Sequence, residues 1–254
     1  MRILATADLH GKVSAFEHFA ESLRVGQYDA GIMAGDLMTH FSQPEIDDLL
    51  HRLGASRDDL LDELPAVDAK PRSETAADRV FAEGIRLKEQ ELRDILSAAG
   101  VPIYFVMGND DGIVAGGVEW RSGSNLHNVN QRRVRHGPFN VVGYQYTNPY
   151  VTGLFEKPEE EQAADLAAFD ELVDSATILV THGPPYGTLD QVEHSGSVGS
   201  RALRAFVDRC PPFLHVFGHI HQAYGISWPA INVAYPLPGK FVEIDVGKCT
   251  ARWV

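Results

Sequence analysis

Apolar residues along this chain gather in short runs, each closed by a polar residue or a glycine. Ile3 to Ala7, Ala30 to Ala34, Ile103 to Met107, Asn140 to Tyr144, Thr177 to Thr181 and Leu214 to Phe217 are runs of this kind. Short runs without strict alternation predict strands buried on both faces. A helical period falls between some of them. Ser14 to Arg24 repeats apolar residues at Phe16, Phe19, Ala20 and Leu23, and Ser200 to Val207 repeats the pattern behind Ser200, a good N-cap. The stretch from Pro44 to Ala99 is charged and helical in pattern, broken at Gly54, Pro65 and Pro71. Within it, Asp78 to Ala98 predicts one helix that buries Val80, Phe81, Ile85, Leu92 and Ile95. Ala223 to Ser227, Ile231 to Ala234, Lys240 to Asp245 and Thr250 to Val254 predict a tail of short strands. Alternating strands and helices followed by strands predict an α/β fold of two packed sheets with helices outside. The expected organisation is one domain over residues 1–254 with a helical elaboration over about 44–99, serving as a cap, as packing or as an oligomer contact.

Composition narrows the partners. A formal charge of −13 over 254 residues opposes a long polyanion, and Arg132-Arg133-Val134-Arg135 is the densest basic cluster, expected on an exposed strand or turn. Nucleic acid is therefore disfavoured. Cys210 and Cys249 have no redox or metal spacing and are expected as small buried residues in a reducing compartment. The apolar start runs directly into Asp8, unlike a signal peptide, and no run approaches a membrane span. These features predict a cytoplasmic protein with no membrane partner.

The strand ends carry the candidate chemistry. Asp8-Leu9-His10, Gly35-Asp36, Gly108-Asn109-Asp110-Asp111, Thr181-His182-Gly183 and Gly218-His219-Ile220-His221 each follow an apolar run. Residues i and i+2 of extended backbone share a face, so Asp8 and His10 are expected to converge on one ion, and His219 and His221 to aim into one cleft, serving the same ion or different ones. Ligand sites on open α/β sheets lie at the carboxyl ends of strands. Mixed imidazole, carboxylate and amide donors suit Mn²⁺, Fe or Zn²⁺ better than Ca²⁺. Each pair alone is a weak signal, but five in order are not.

This ordered set resembles the calcineurin-like metallophosphoesterases, whose blocks run Asp-x-His, Gly-Asp, Gly-Asn-His-Asp/Glu, His and Gly-His-x-His. The resemblance spans Asp8 to His221. It implies a four-layer α/β/β/α sandwich of two mixed sheets and two divalent metal ions. Asp8, His10 and His221 would hold one ion, Asn109, His182 and His219 the other, and Asp36 would bridge them. The implied activity is hydrolysis of a small phosphate ester, with two ions about 3.5–4 Å apart generating a bridging hydroxide. Because all seven ligand positions are filled, a non-catalytic scaffold is the lesser alternative. A nuclease is disfavoured by charge, and self-association is left open.

One position departs from the pattern. Where the family places a His, implied to assist the leaving group, this chain has Asp110. Neighbouring dications would keep that carboxyl ionised and unable to donate a proton. The departure predicts good leaving groups and diesters over monoester dianions. Members of the family that resemble this chain in lacking the His are often phosphodiesterases of modest selectivity, some with Cys in its place. His194, in a glycine- and serine-rich stretch that could offer N–H groups to phosphate, together with His40 and His127, are the candidate substitutes for the missing acid.

Overall fold

A computed structural model describes residues 1–38, 47–48, 50–51, 54, 76–114, 120–150, 155–236 and 239–254. His40 and most of residues 44–75 lie outside the described residues, as do the side chains of Val80 and Phe81. The chain opens with β1 (Arg2–Thr6), α1 (Val13–Val25), β2 (Ala30–Ala34), α2 (Ala76–Ser97), β3 (Ile103–Val106) and α3 (Asn109–Val114). Next come β4 (Leu126–Asn128), β5 (Arg133–His136), β6 (Phe139–Tyr144), α4 (Glu159–Ala167) and β7 (Thr177–Thr181). The hairpin β8 (Gln191–Val192) and β9 (Gly196–Ser197), then α5 (Arg201–Arg209) and β10 (Leu214–Phe217), lead to the tail strands. These are β11 (Gly225–Ser227), β12 (Ala230–Asn232), β13 (Val242–Asp245) and β14 (Thr250–Trp253).

Two six-stranded mixed sheets result, ordered β14-β13-β1-β2-β3-β4 and β11-β12-β10-β7-β6-β5. In the first, β1 to β4 run parallel and β13–β14 close one edge antiparallel. In the second, β12, β10, β7 and β6 run parallel between antiparallel β11 and β5. Parallel central strands are covered on both faces, which is why their sequences lack alternation. Three separate cores confirm the layering. Ile3, Ala5, Ile32, Val106, Val141, Val180 and Val216 fill the space between the sheets. Phe16, Phe19, Leu23, Leu92 and Leu96 fasten α1 and α2 to the outer face of the first sheet. Leu166, Leu203, Phe206 and Val142 fasten α4 and α5 to the second. This is the α/β/β/α sandwich.

The helix expected at Asp78 to Ala98 forms as α2, and its C-terminal half is core: Leu92 and Leu96 are fully buried, with Ile85 and Ile95 packed alongside. The basic cluster lies on edge strand β5, where exposed charge guards an unpaired edge. Its Arg133 is tied down by donating to the carbonyls of Leu172 and Glu171. The cysteine expectation is corrected. Cys210 is only partly covered and Cys249 is exposed, because it occupies the β13–β14 turn at φ 53°. No helix among the described residues is long and apolar enough to cross a membrane.

Candidate metal centre

All five polar groups leave the same ends of parallel strands: β1, β2 and β3 of one sheet, β7 and β10 of the other. The backbone does not stay extended as it leaves. Asp8, His10, Asp36 and His219 all adopt left-handed φ, at 56°, 49°, 50° and 70°. The same-face rule for extended residues therefore does not explain how Asp8 meets His10. A ladder between loops places them instead: Asp8, His10 and Gly11 N–H groups donate to the carbonyls of Gly35, Asp36 and Leu37 at 2.9, 2.9 and 2.7 Å. Left-handed backbone costs a non-glycine residue roughly 1–2 kcal/mol, and such strain concentrates at functional sites.

The side chains form three overlapping sets whose ligand atoms lie within 4.8 Å of one another: Asp8, His10 and His221; Asp36, His182 and His219; His10, Asp36 and Asp110. Asn109 joins the second set, its Oδ1 3.0 Å from His182 Nε2. The His219/His221 pair thus divides between two sets, while Asp36 belongs to two. The two loops holding Asp36 and Asn109 are bound by Asp111, a fully buried carboxylate that the sequence reading gave no role. It accepts N–H bonds from Leu37, Met38 and Gly108 at 3.1, 2.6 and 2.7 Å. Burial, then the charge of Asp36, pushes Asp111 up to about 7 despite those bonds. Gly108 is required because a Cβ there would strike Asp36 Oδ1 and lie 2.7 Å from His182 Cε1.

The electrostatics call for positive charge. His182 Nδ1 donates to the Ala34 carbonyl at 2.8 Å, which directs the Nε2 lone pair toward Asn109 Oδ1 and, at 3.4 Å, Asp36 Oδ1. A lone pair facing two oxygens is repulsive until a proton or a metal ion lies between them. Burial pushes His182 down, yet the Asp36 carboxylate lifts it to about 10. Burial alone would raise Asp36, but His182, His10 and His219 hold it well below the usual carboxylate range. Burial and the neighbouring His182 push His219 down to about 4, so it is a neutral donor. In the first set, Asp8 Oδ1 and His10 Nδ1 are buried without a hydrogen-bond partner, and Asp8 Oδ1 lies 3.3 Å from His221 Nε2. Orphaned donors of this kind in a strained, close-packed cleft fit divalent ions.

Two of the candidate acids, His194 and His127, lie outside the three sets, and His40 falls outside the described residues. His194, expected to be catalytic, sits at the β8–β9 turn with φ 68°, its side chain 89% exposed beside Glu193 and outside the three sets. The N–H groups at the start of α5 are not available to a phosphate either. Glu159 accepts from Arg201 and Ala202 N at 2.8 and 2.7 Å, and Ser200 Oγ caps Leu203 N. His127 lies on β4, stacked on Tyr104, where burial lowers its pKa. Asp110 is at the centre, with Oδ2 3.5 Å from His10 Nδ1. Beside His219 and His221 opens a cavity of about 740 Å³ walled by Pro149, Tyr150, Val192 and Val198.

Comparison with known proteins bears on the family and the fold. A family model described as calcineurin-like phosphoesterase matches residues 1–223. Over 90 residues the chain is 44% identical to metallophosphoesterase domain-containing protein 1 of Homo sapiens, covering 35% of this chain and 25% of that one. Over 100 residues it is 37% identical to a probable rhamnogalacturonate lyase C of Emericella nidulans, covering 37% of this chain and 9% of that one. The chain thus spans a quarter or less of the length of these curated relatives. A solved structure from Thermus thermophilus aligns over 100% of this chain and 97% of its own, with TM-score 0.59 at 18% identity. A dimetal phosphatase from Danio rerio aligns over 96% of this chain and 91% of its own, with TM-score 0.50 at 11% identity, a likeness of fold. Family match, double-sheet sandwich and clustered strand-end His, Asp and Asn residues together make this chain a member of the calcineurin-like phosphoesterase family.

Proposed function

We propose that residues 1–254 act as one cytoplasmic metal-dependent phosphoric ester hydrolase domain, with a helical elaboration over about 44–99, that cleaves a small phosphodiester. The observation that carries this reading is the convergence of Asp8, His10 and His221 beside Asp36, Asn109, His182 and His219, with Asp36 also within reach of His10. The first three would hold one ion, the other three a second, and Asp36 both; Mn²⁺, Fe and Zn²⁺ suit the donors. Two divalent ions held there would supply Lewis-acid polarisation of the phosphoryl oxygens. The chain's own residues prepare the site for that. Ala34 fixes the tautomer of His182, Asp111 fixes the two loops, and His219 is kept unprotonated.

The preference for a diester rests on Asp110. Its carboxylate beside His10 adds negative charge, which opposes a monoester dianion more than a diester monoanion, and an ionised carboxylate offers the leaving group no proton. The cavity beside His219 and His221 is large enough for the ester's organic group, with apolar contact from Tyr150, Val192 and Val198. The test is turnover of bis(p-nitrophenyl) phosphate against p-nitrophenyl phosphate by the Mn²⁺-loaded protein. A higher kcat/KM for the diester is expected. Faster monoester turnover would sink the preference, and no turnover of either would sink the enzymatic reading.

A further inference from the structure

Asp110 is placed to do more than replace a histidine. Its two carboxylate oxygens face opposite halves of the centre. Oδ1 accepts from Asn109 Nδ2 at 3.0 Å, which turns the Asn109 carbonyl toward His182 Nε2. Oδ2 faces His10 Nδ1 at 3.5 Å, and its backbone N–H donates to Asp36 Oδ1 at 3.0 Å. His10, Asp36 and Asp110 thereby bring three ligand atoms within 4.8 Å of one another. His10 Nδ1 is buried there with no hydrogen-bond partner, and Asp8, only 8% exposed, presents an equally orphaned Oδ1 to the set it shares with His10. A carboxylate oxygen is a hard donor that suits Mn²⁺ and neutralises a dication, which a histidine cannot do.

We propose that Asp110 is a metal ligand of this chain: Oδ2 joins Asp8, His10 and His221 around the first ion, while Oδ1 braces the Asn109 carbonyl for the second. The inference rests on the two-ion reading of the site. It also gives a reason for the changed third motif. Where a histidine would leave the centre with two carboxylates, Asp8 and Asp36, Asp110 adds a third, exchanging a proton donor for tighter metal retention.

The experiment is calorimetric titration of the chelator-stripped full chain with Mn²⁺, in the wild type and in Asp110→Ala, Asn109→Ala and the double variant. Two ions are expected in the wild type. Asp110→Ala should weaken one of them by at least about tenfold, as loss of a ligand or of its support does. The double variant should bind more weakly than Asn109→Ala alone, because a direct ligand acts whether or not its neighbour is present. If Asp110→Ala does not fold, judged by its circular dichroism in chelator, Asp110→Asn keeps the shape and carries the same comparison. Two ions bound by Asp110→Ala with wild-type affinity would overturn the inference and leave the two-ion reading standing. A double variant no weaker than Asn109→Ala would overturn the ligand role. No Mn²⁺ bound by the wild type would overturn both.

Discussion

Replacing Asp36 by Asn removes one charge and almost no volume, so it isolates electrostatics at the centre. The size of the effect follows from His182. Burial alone would depress this imidazole, yet it rises from 6.5 to about 10 because Asp36 stands 3.4 Å away. At 1.36 kcal/mol per pKa unit, the site favours a unit positive charge at His182 Nε2 by roughly 5 kcal/mol, net of burial. A dication held between the same oxygens depends on the same carboxylate at least as strongly. At 1.4 kcal/mol per tenfold, Asp36→Asn should therefore weaken Mn²⁺ binding by about a thousandfold or more. Turnover should fall in parallel at fixed metal. The metal-free protein gives a second signal. Asp36 is depressed and His182 raised, so their pairing stabilises the fold from above the ordinary Asp pKa and is lost as pH rises through about 10. Asp36→Asn should remove that contribution across the neutral range. Calorimetric titration with Mn²⁺, diester turnover and thermal unfolding in chelator measure the three effects. Retention of both ions within tenfold of wild type, with full activity, would refute the reasoning.

Other perturbations separate the centre from its surroundings. His194→Ala should leave diester kcat/KM within about twofold of wild type, as surface changes do, whereas a tenfold loss would restore His194 to the mechanism. Gly108→Ala forces a Cβ against Asp36 and should cost about 1–3 kcal/mol in chemical denaturation together with weaker metal binding; an unchanged midpoint would contradict the packing. Buried His215 is held neutral and pushed down to about 3 by burial, its Nε2 donating to Thr181, whose own hydroxyl proton goes to Gly183 O. Its folded pKa lies below the unfolded value, so the stability it contributes is present above about 6.5 and lost as pH falls toward 3, by roughly 5 kcal/mol in full. His215→Gln should flatten the acid limb of the stability curve, and parallel curves for the two proteins would count against this.

The central strands are legible because burial on both faces leaves an apolar run, and the clustering of the polar residues that close those runs is legible because five such groups occur in order. Ala30–Ala34, Thr177–Thr181 and Leu214–Phe217 form strands at the expected bounds. Ser200 caps its helix as its residue type suggests. Other features depend on long-range contact and leave little local trace. Nothing near Ser200 shows that Glu159, 41 residues earlier, accepts the Ser200 hydroxyl and the N–H groups of Arg201 and Ala202 at the start of the helix. The backbone at Asp8, His10 and Asp36 is left-handed where their two loops bond to each other, so extended-strand geometry does not account for the approach of Asp8 to His10. Asp111 carries no sequence signal beyond acidity, and its role appears only once two loops 74 residues apart meet. The β8–β9 hairpin is two residues per strand, too short for a period, and it turns His194 outward.

The most direct test is anomalous diffraction from crystals of the chain grown with Mn²⁺. Two peaks are expected in the cleft, one against Asp8, His10 and His221, the other against Asn109, His182 and His219, with Asp36 between them. A single peak, or none within reach of Asp36, would contradict the account.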